Sequence, residues 1–421
     1  MLKQESRSLP EVVKAPAHLR VWQRRALLVA LLGALAAALL AVAENSTEHL
    51  LRAWLLGFVF VFGFAVGGLA LLMVQYCASG HWSLLLRRPL EAMSRTLPLV
   101  FVYWIVVVCA MKRLYLWARI ADANAALRAD LINSAQAHCI EFKRVLLNPT
   151  AFVVASLVCF AAWSFFAWRL HRLAQKADED LRENAAHWLS KLARYSAPGL
   201  VVVVLTVTAA TLYWIMSLDV TWASSIFGLL LLVGLASQAL ALATFTVLAL
   251  AKDDPYKTVL RIDEQHDMGK MVFAFVMLNV YLAFSQFLIV WSGNLPEEAS
   301  WYLDRMRGVW SAIMALDCIF AWLVPFLLLL SRDLKRNRKR LMAVCAWILF
   351  ARAFDLFWMI EPSFKDAARN LHFSWGLLEY VAVPIAMVAL WTAYFLAQLQ
   401  SRPLLPINDP LWHRCEEGEH D

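Results

Sequence analysis

The chain has 421 residues, 61% of them hydrophobic and only 17% charged, with a mean hydropathy of +0.59, whereas a soluble protein carries about 25% charged residues. Its net charge of +7 is gathered between long apolar windows, so it does not read as a nucleic-acid-binding surface. Cys77, Cys109, Cys139, Cys159, Cys318, Cys345 and Cys415 contain no C-x-x-C pair, which argues against a disulfide framework, a structural zinc or an iron–sulfur site.

Windows of roughly 20 apolar residues are long enough to cross a bilayer as helices. Ten are predicted, at 25–43, 52–78, 97–118, 149–170, 198–218, 225–251, 270–292, 308–331, 340–360 and 374–399. The chain is therefore expected to be an all-α integral membrane protein: a short segment 1–24, a polytopic domain 25–399 and a tail 400–421. Arg24-Arg25, the apolar run and Ala41-Val42-Ala43 imitate a cleavable leader, but the run is long enough to span, and a retained first helix is the expectation. Within the second window, Gly63, Gly67 and Gly68 form a small-residue face of the kind that lets helices approach closely. Most connections are short. The exceptions are 119–148 and 171–197, and the helical spacing of KADEDLRENAAHWLSKLARY in the latter predicts a helix lying along the membrane surface.

Orientation follows from Lys and Arg. With the N-terminal side taken as inner, 27 basic residues fall on inner segments and 11 on outer ones, with Arg352 inside a span. The inner set includes Arg87-Arg88, the basic residues of 172–194 and the run SRDLKRNRKR. Both termini are expected inside, in a bacterial inner membrane, and GNLPEEASWY (293–302) outside.

None of the ten histidines lies in the middle of a span, which argues against a bis-histidine haem or another intramembrane metal. No phosphate-binding or dinucleotide fingerprint is present. The remaining chemistry rests on ionisable groups inside spans, each costing about 2.5–3.5 kcal/mol to insert and therefore a functional hypothesis. Asp317 and Arg352 sit near mid-depth, with Asp355 one turn beyond Arg352 and Glu379 one turn into the last span. They are candidate steps of a proton path or the lining of a quinone pocket. A plainer alternative makes Arg352 and Asp355 a self-neutralising i,i+3 pair and Asp317 a cap on a neighbouring helix. His266, Asp267 and Lys270 stand at an inner mouth where they could collect protons; otherwise they form a solvated helix start with Asp267 as N-cap. Gln238, Asn279 and Gln286 are further polar groups within spans. No internal repeat is evident.

Several runs resemble one family. The longest is HDMGKMVFAFVMLNVYLAFSQFLIVWSGNLPEEASWY, His266 to Tyr302. Others are SGHWSLLLRRPLEA (79–92), SAPGL (196–200), WIMSLDVTWASSIFG (214–228), VPFLLLLSRDLKRN (324–337), FDLFWMIEP (354–362) and LLPINDP (404–410). In order and over most of the chain they look like the NrfD/polysulfide-reductase-type, ActF-like membrane subunits of alternative complex III. Two positions depart from that pattern: Tyr213 stands where an Asp is usual, and Ala321 where a His is frequent.

The resemblance implies two four-helix bundles plus two extra helices, and a subunit without a redox cofactor of its own in a quinol:cytochrome c oxidoreductase. The implied partners are a related quinol-binding membrane subunit, a periplasmic iron–sulfur protein and multihaem cytochrome c subunits. The role expected for the chain is scaffolding with a proton half-channel, quinone itself being a weaker expectation. Asn294, Pro296, Glu297 and Glu298 are candidates for a loop that docks those partners. A stand-alone proton-coupled transporter is the alternative.

Overall fold

The computed structural model describes residues 15–78, 83–120, 122–129, 131–180, 184–364, 375–406 and 408–409. The described residues form helices and no strands. In chain order the helices are α1 (His18–Glu44), α2 (Glu48–Ala78), α3 (Ser83–Ser94), α4 (Leu97–Cys109), α5 (Met111–Leu114), α6 (Leu116–Arg119), α7 (Ala123–Arg128), α8 (Ser134–Phe142), α9 (Pro149–Glu179) and α10 (Ala185–Trp214). They continue with α11 (Phe227–Ala249), α12 (Tyr256–Val259), α13 (Ile262–Gly293), α14 (Pro296–Arg305), α15 (Val309–Asp317), α16 (Val324–Leu330), α17 (Arg332–Arg336), α18 (Arg338–Ile360) and α19 (Glu379–Gln400). Among the described residues nine helical stretches are long and apolar enough to cross a membrane, ten if the pair α3–α4, bent by 40°, counts as one crossing. This is the all-α, multi-pass architecture expected.

Helices α2, α4, α9 and α10 pack as one group, and α11, α13, α15–α16 and α18 as a second. Helix α1 lies on α19, which lies in turn on α2. Each group begins with its most buried helix, and those two, α2 and α11, pack against each other at the centre. The duplicated arrangement is therefore topological, although the sequence carries no visible repeat.

Glycine makes the central contact possible. A Cβ at Gly67 would lie 2.2 Å from the carbonyl oxygen of Leu235, and one at Gly63 would lie 2.7 Å from Gln238 Oε1. Gly68 faces Met93 of α3 in the same way, at 2.9 Å. Without a hydrophobic force between helices in lipid, such close packing is what joins them. Gly67→Ala pushes against backbone, which cannot swing aside. We expect it to cost about 3 kcal/mol, the upper end for overpacking, read as a lower melting temperature of the purified protein; unchanged melting would contradict the contact.

The structure corrects three expectations. The third window is a broken helix. After α4 the chain kinks at Ala110 and again at Tyr115, whose backbone is extended. The Tyr115 hydroxyl donates to the Trp214 carbonyl at 3.0 Å, and Arg119 donates to the carbonyls of Lys112 and Arg113 left open by the break. Second, the 171–197 segment holds no separate surface helix among its described residues. Its described residues belong to the ends of α9 and α10, and Leu173, Ala174, Ala185 and Leu192 bury themselves where a surface helix would expose them.

Third, α3 is a buried helix instead of an inner loop. Leu84, Leu85, Leu86, Leu90 and Met93 are buried against α2 and α11. Its charges are buried too and find partners far along the chain. Arg88 donates to Glu91 at 2.7 Å and to Asp178 of α9 at 2.6 Å. Arg87 pairs with Asp409, Arg402 approaches Glu91 at 3.5 Å, and the Tyr76 hydroxyl donates to Glu91 at 3.1 Å. The start of the segment read as a tail thus straps across the inner end, with Leu404 and Leu405 buried and Asn408 donating to the Asp178 carbonyl at 3.0 Å.

Candidate functional site

The ionisable residues inside spans fall into a mid-depth group and an outer group. Asp317 is the last residue of α15. The next six residues, Cys318–Leu323, form a π-helical turn before α16 resumes with Pro325 in its first turn. The reason is local: proline lacks an N–H and its ring clashes with the carbonyl four residues back, and a π-turn relieves that clash. Such turns recur at functional sites.

Arg352, fourteen residues into α18, faces this turn. Its Nη1 donates to the Asp355 carboxylate, and both residues are buried. The guanidinium lies flat on α11 at Gly234, where a Cβ would sit 2.6 Å from Cζ. Asp317 lies within electrostatic reach of both Asp355 and Arg352. Its Oδ1 is buried without a hydrogen-bond partner among the described residues, as are Arg352 Nε and Nη2. The i,i+3 pair expected between Arg352 and Asp355 is present, whereas Asp317 Oδ1 caps no helix.

The chemical consequence follows from charge. Two carboxylates and one guanidinium carry a net charge of −1 when all are ionised. In a low-dielectric interior an odd charge is costly, and one bound proton cancels it.

Glu379 belongs elsewhere. It is fully buried, and neither carboxylate oxygen has a hydrogen-bond partner among the described residues. Its charged neighbours are Glu44, at the end of α1, and His49, at the start of α2. His49 Nδ1 lies 3.1 Å from Glu44, and Gly376 leaves room for both, since a Cβ there would meet Glu44 Oε2 at 2.3 Å. The adjacent Tyr380 hydroxyl donates to Glu361 at 2.6 Å, and Glu361 pairs with the buried Arg52 at 3.2 Å. Arg52 and Glu361 were missed in the sequence because both stand at window edges, where charge is ordinary.

At the inner end, Asp267 and Lys270 form an exposed i,i+3 pair at 2.8 Å, a geometry contributing about 0–1 kcal/mol. Asp267 is not an N-cap: α13 begins a turn and a half earlier, at Ile262, where Glu264 accepts from the Arg261 backbone N–H at 2.7 Å. His266 shares this end with Lys270, Lys335 and Arg336, and its pKa is lowered first by burial and then by those cations. Of the polar groups within spans, Gln238 Nε2 donates to the Phe60 carbonyl at 2.7 Å, and both side-chain polar atoms of the buried Gln286 lack a partner among the described residues.

The expected docking segment is helical for most of its length. Asn294 ends α13 in the left-handed region (φ 47°), and Pro296 opens α14 with Glu297 and Glu298 in its first turn, where acidic residues complement the helix dipole. Asn294, Pro296 and Glu297 are exposed and Glu298 half-buried. The far end of α14 is pinned. Trp301 stacks on Trp222 at 4.8 Å, and Arg305 lies 3.6 Å over the Trp301 ring. Arg305 also donates to the Met359 carbonyl and the Ser363 hydroxyl at 2.6 and 2.7 Å. Burial lowers its pKa to about 9 against the opposing pull of Asp219 and Asp304, so it is still a cation at neutral pH.

Comparison with known proteins adds no relative: no family model matches the sequence, and no curated protein matches it.

Proposed function

We propose that the chain is a non-catalytic membrane subunit of a quinol:electron-acceptor oxidoreductase complex in a bacterial inner membrane, combining scaffold with proton half-channel. The observation that carries the proton role is the Asp317–Arg352–Asp355 group, with its odd charge and unpartnered carboxylate oxygen at a π-turn. The resemblance of the 266–302 run supports the complex. Its partners are then a related quinol-binding membrane subunit, a periplasmic iron–sulfur protein and multihaem cytochrome c subunits. The exposed first turn of α14 is the docking point, held at a fixed angle by Trp301 and Arg305. In this role the mid-depth group takes up and releases one proton, and the Glu379–Glu44–His49 corner offers a second station towards the outer surface.

The test is a mild-detergent pull-down of tagged chain from native membranes, read by haem absorbance and mass spectrometry. Multihaem cytochrome and iron–sulfur subunits should co-purify. A lone, colourless protein that couples solute uptake to protons in vesicles would replace this reading with a transporter.

A further inference from the structure

A cavity among the described residues lies apart from both carboxylate groups. It has a volume of about 360 Å³ and opens at the outer end between the start of α2, the broken α5–α6 segment, the end of α10 and the 363–364 turn. That volume lies within the range of small-molecule sites, about 300–1,000 Å³. Leu51, Leu114, Leu116, Leu218 and Val220 give it an apolar wall, and Arg52, Arg113 and Arg119 line it with cations.

Its acidic lining residues are already engaged. Glu48 pairs with Arg52 at 3.7 Å, and Arg52 pairs further with Glu361. Asp219 accepts from the Thr221 hydroxyl at 2.6 Å and faces Arg305. Arg113 and Arg119 have no acidic partner among the described residues. Arg113 donates to the Thr47 hydroxyl at 2.5 Å, and Arg119 donates through Nε and Nη2 to two carbonyls. Each guanidinium has five N–H donors in a planar fork, so both keep donors in hand. The carbonyl contacts hold Arg119 in place and reduce the entropy lost on binding.

Two fixed guanidinia in surplus over an apolar wall suit a tetrahedral oxyanion attached to an apolar or glycerol body. Arginine forks match phosphate oxygens bidentately. The depth agrees: Glu48 opens α2 and Arg52 lies one turn in, which places the cavity at the level of the lipid headgroups. We propose that this cavity is a binding site for a phosphate group, gripped by Arg113 and Arg119. The phosphate is either the headgroup of an acidic phospholipid or a soluble phosphate ester.

The experiment uses the full-length chain, delipidated in detergent and titrated with dioctanoyl phosphatidylglycerol, dioctanoyl phosphatidylcholine or inorganic phosphate, and is read by thermal shift and native mass spectrometry. The melting temperature of the wild type should rise with phosphatidylglycerol or with phosphate, less so at high salt. Each of Arg113→Gln and Arg119→Gln should weaken that binding about ten-fold, the worth of one charge-assisted contact. Arg332→Gln, at the inner end, should leave it unchanged. Response to phosphatidylglycerol alone assigns the site to lipid, and an equal response to inorganic phosphate assigns it to a soluble ester. Absence of any response in the wild type overturns the proposal. So does an undiminished response in both single variants.

Discussion

Replacing Asp317 with asparagine should lower proton-coupled turnover of the assembled complex about 100-fold, within the range for loss of a positioned proton-transfer group, while leaving assembly and melting temperature unchanged. Asparagine keeps the shape of the side chain but cannot take up or release a proton near neutral pH. No hydrogen bond to Asp317 Oδ1 is lost, because none is made among the described residues. Asp317→Glu should restore part of the rate. Asp355→Asn should behave differently, since it strips the buried Arg352 of its partner; breaking such a pair costs about 3–5 kcal/mol, and the loss should show first as instability. Proton translocation at the wild-type rate in an intact Asp317→Asn complex would remove the half-channel from the function and leave a scaffold.

Arg88→Gln should be the most damaging single change at the inner end. Arg88 is 3% exposed and holds two carboxylates, Glu91 and Asp178, from two helices. Its loss leaves Glu91 with Arg402 at 3.5 Å as its nearest remaining cation, and Asp178 with no other ion pair among the described residues. A cost of about 3–5 kcal/mol is expected, measured as loss of a monodisperse species on heating. Lys270→Gln breaks an exposed pair of the same i,i+3 spacing and should cost within about 0.5 kcal/mol. Equal melting of the two variants would show that the inner cluster contributes nothing beyond a surface pair.

The spans were legible because hydropathy is a local signal, and so were Asp317, Arg352 and Asp355, which stand out as charges in apolar windows. The small-residue face of Gly63 and Gly67 was legible for the same reason. The role of α3 was hidden because Arg87, Arg88 and Glu91 look like an ordinary basic loop until they are paired. Arg87 meets Asp409 across 322 residues, a separation that no periodicity reports. The 171–197 segment misled in another way. Its helical spacing was real, but spacing does not distinguish a helix lying on a membrane from one extending out of it. Glu379 stands only one turn into the last span, yet it is fully buried, because the α1–α2 connection folds Glu44 and His49 over it.

The central pairing of α2 with α11 also sets a timetable for biosynthesis. About 150 residues separate the end of α2 from the start of α11, and a ribosome working at about 5–20 residues per second needs roughly 8–30 s to add them. Through that interval the groove at Gly63 and Gly67 has no helix to receive, and lipid chains or an insertion factor must fill it. Helix α19 follows α11 in the chain and seats on α1 and α2, which precede it by far more. The contact of α19 with α1 and α2 therefore forms later still than the central pairing.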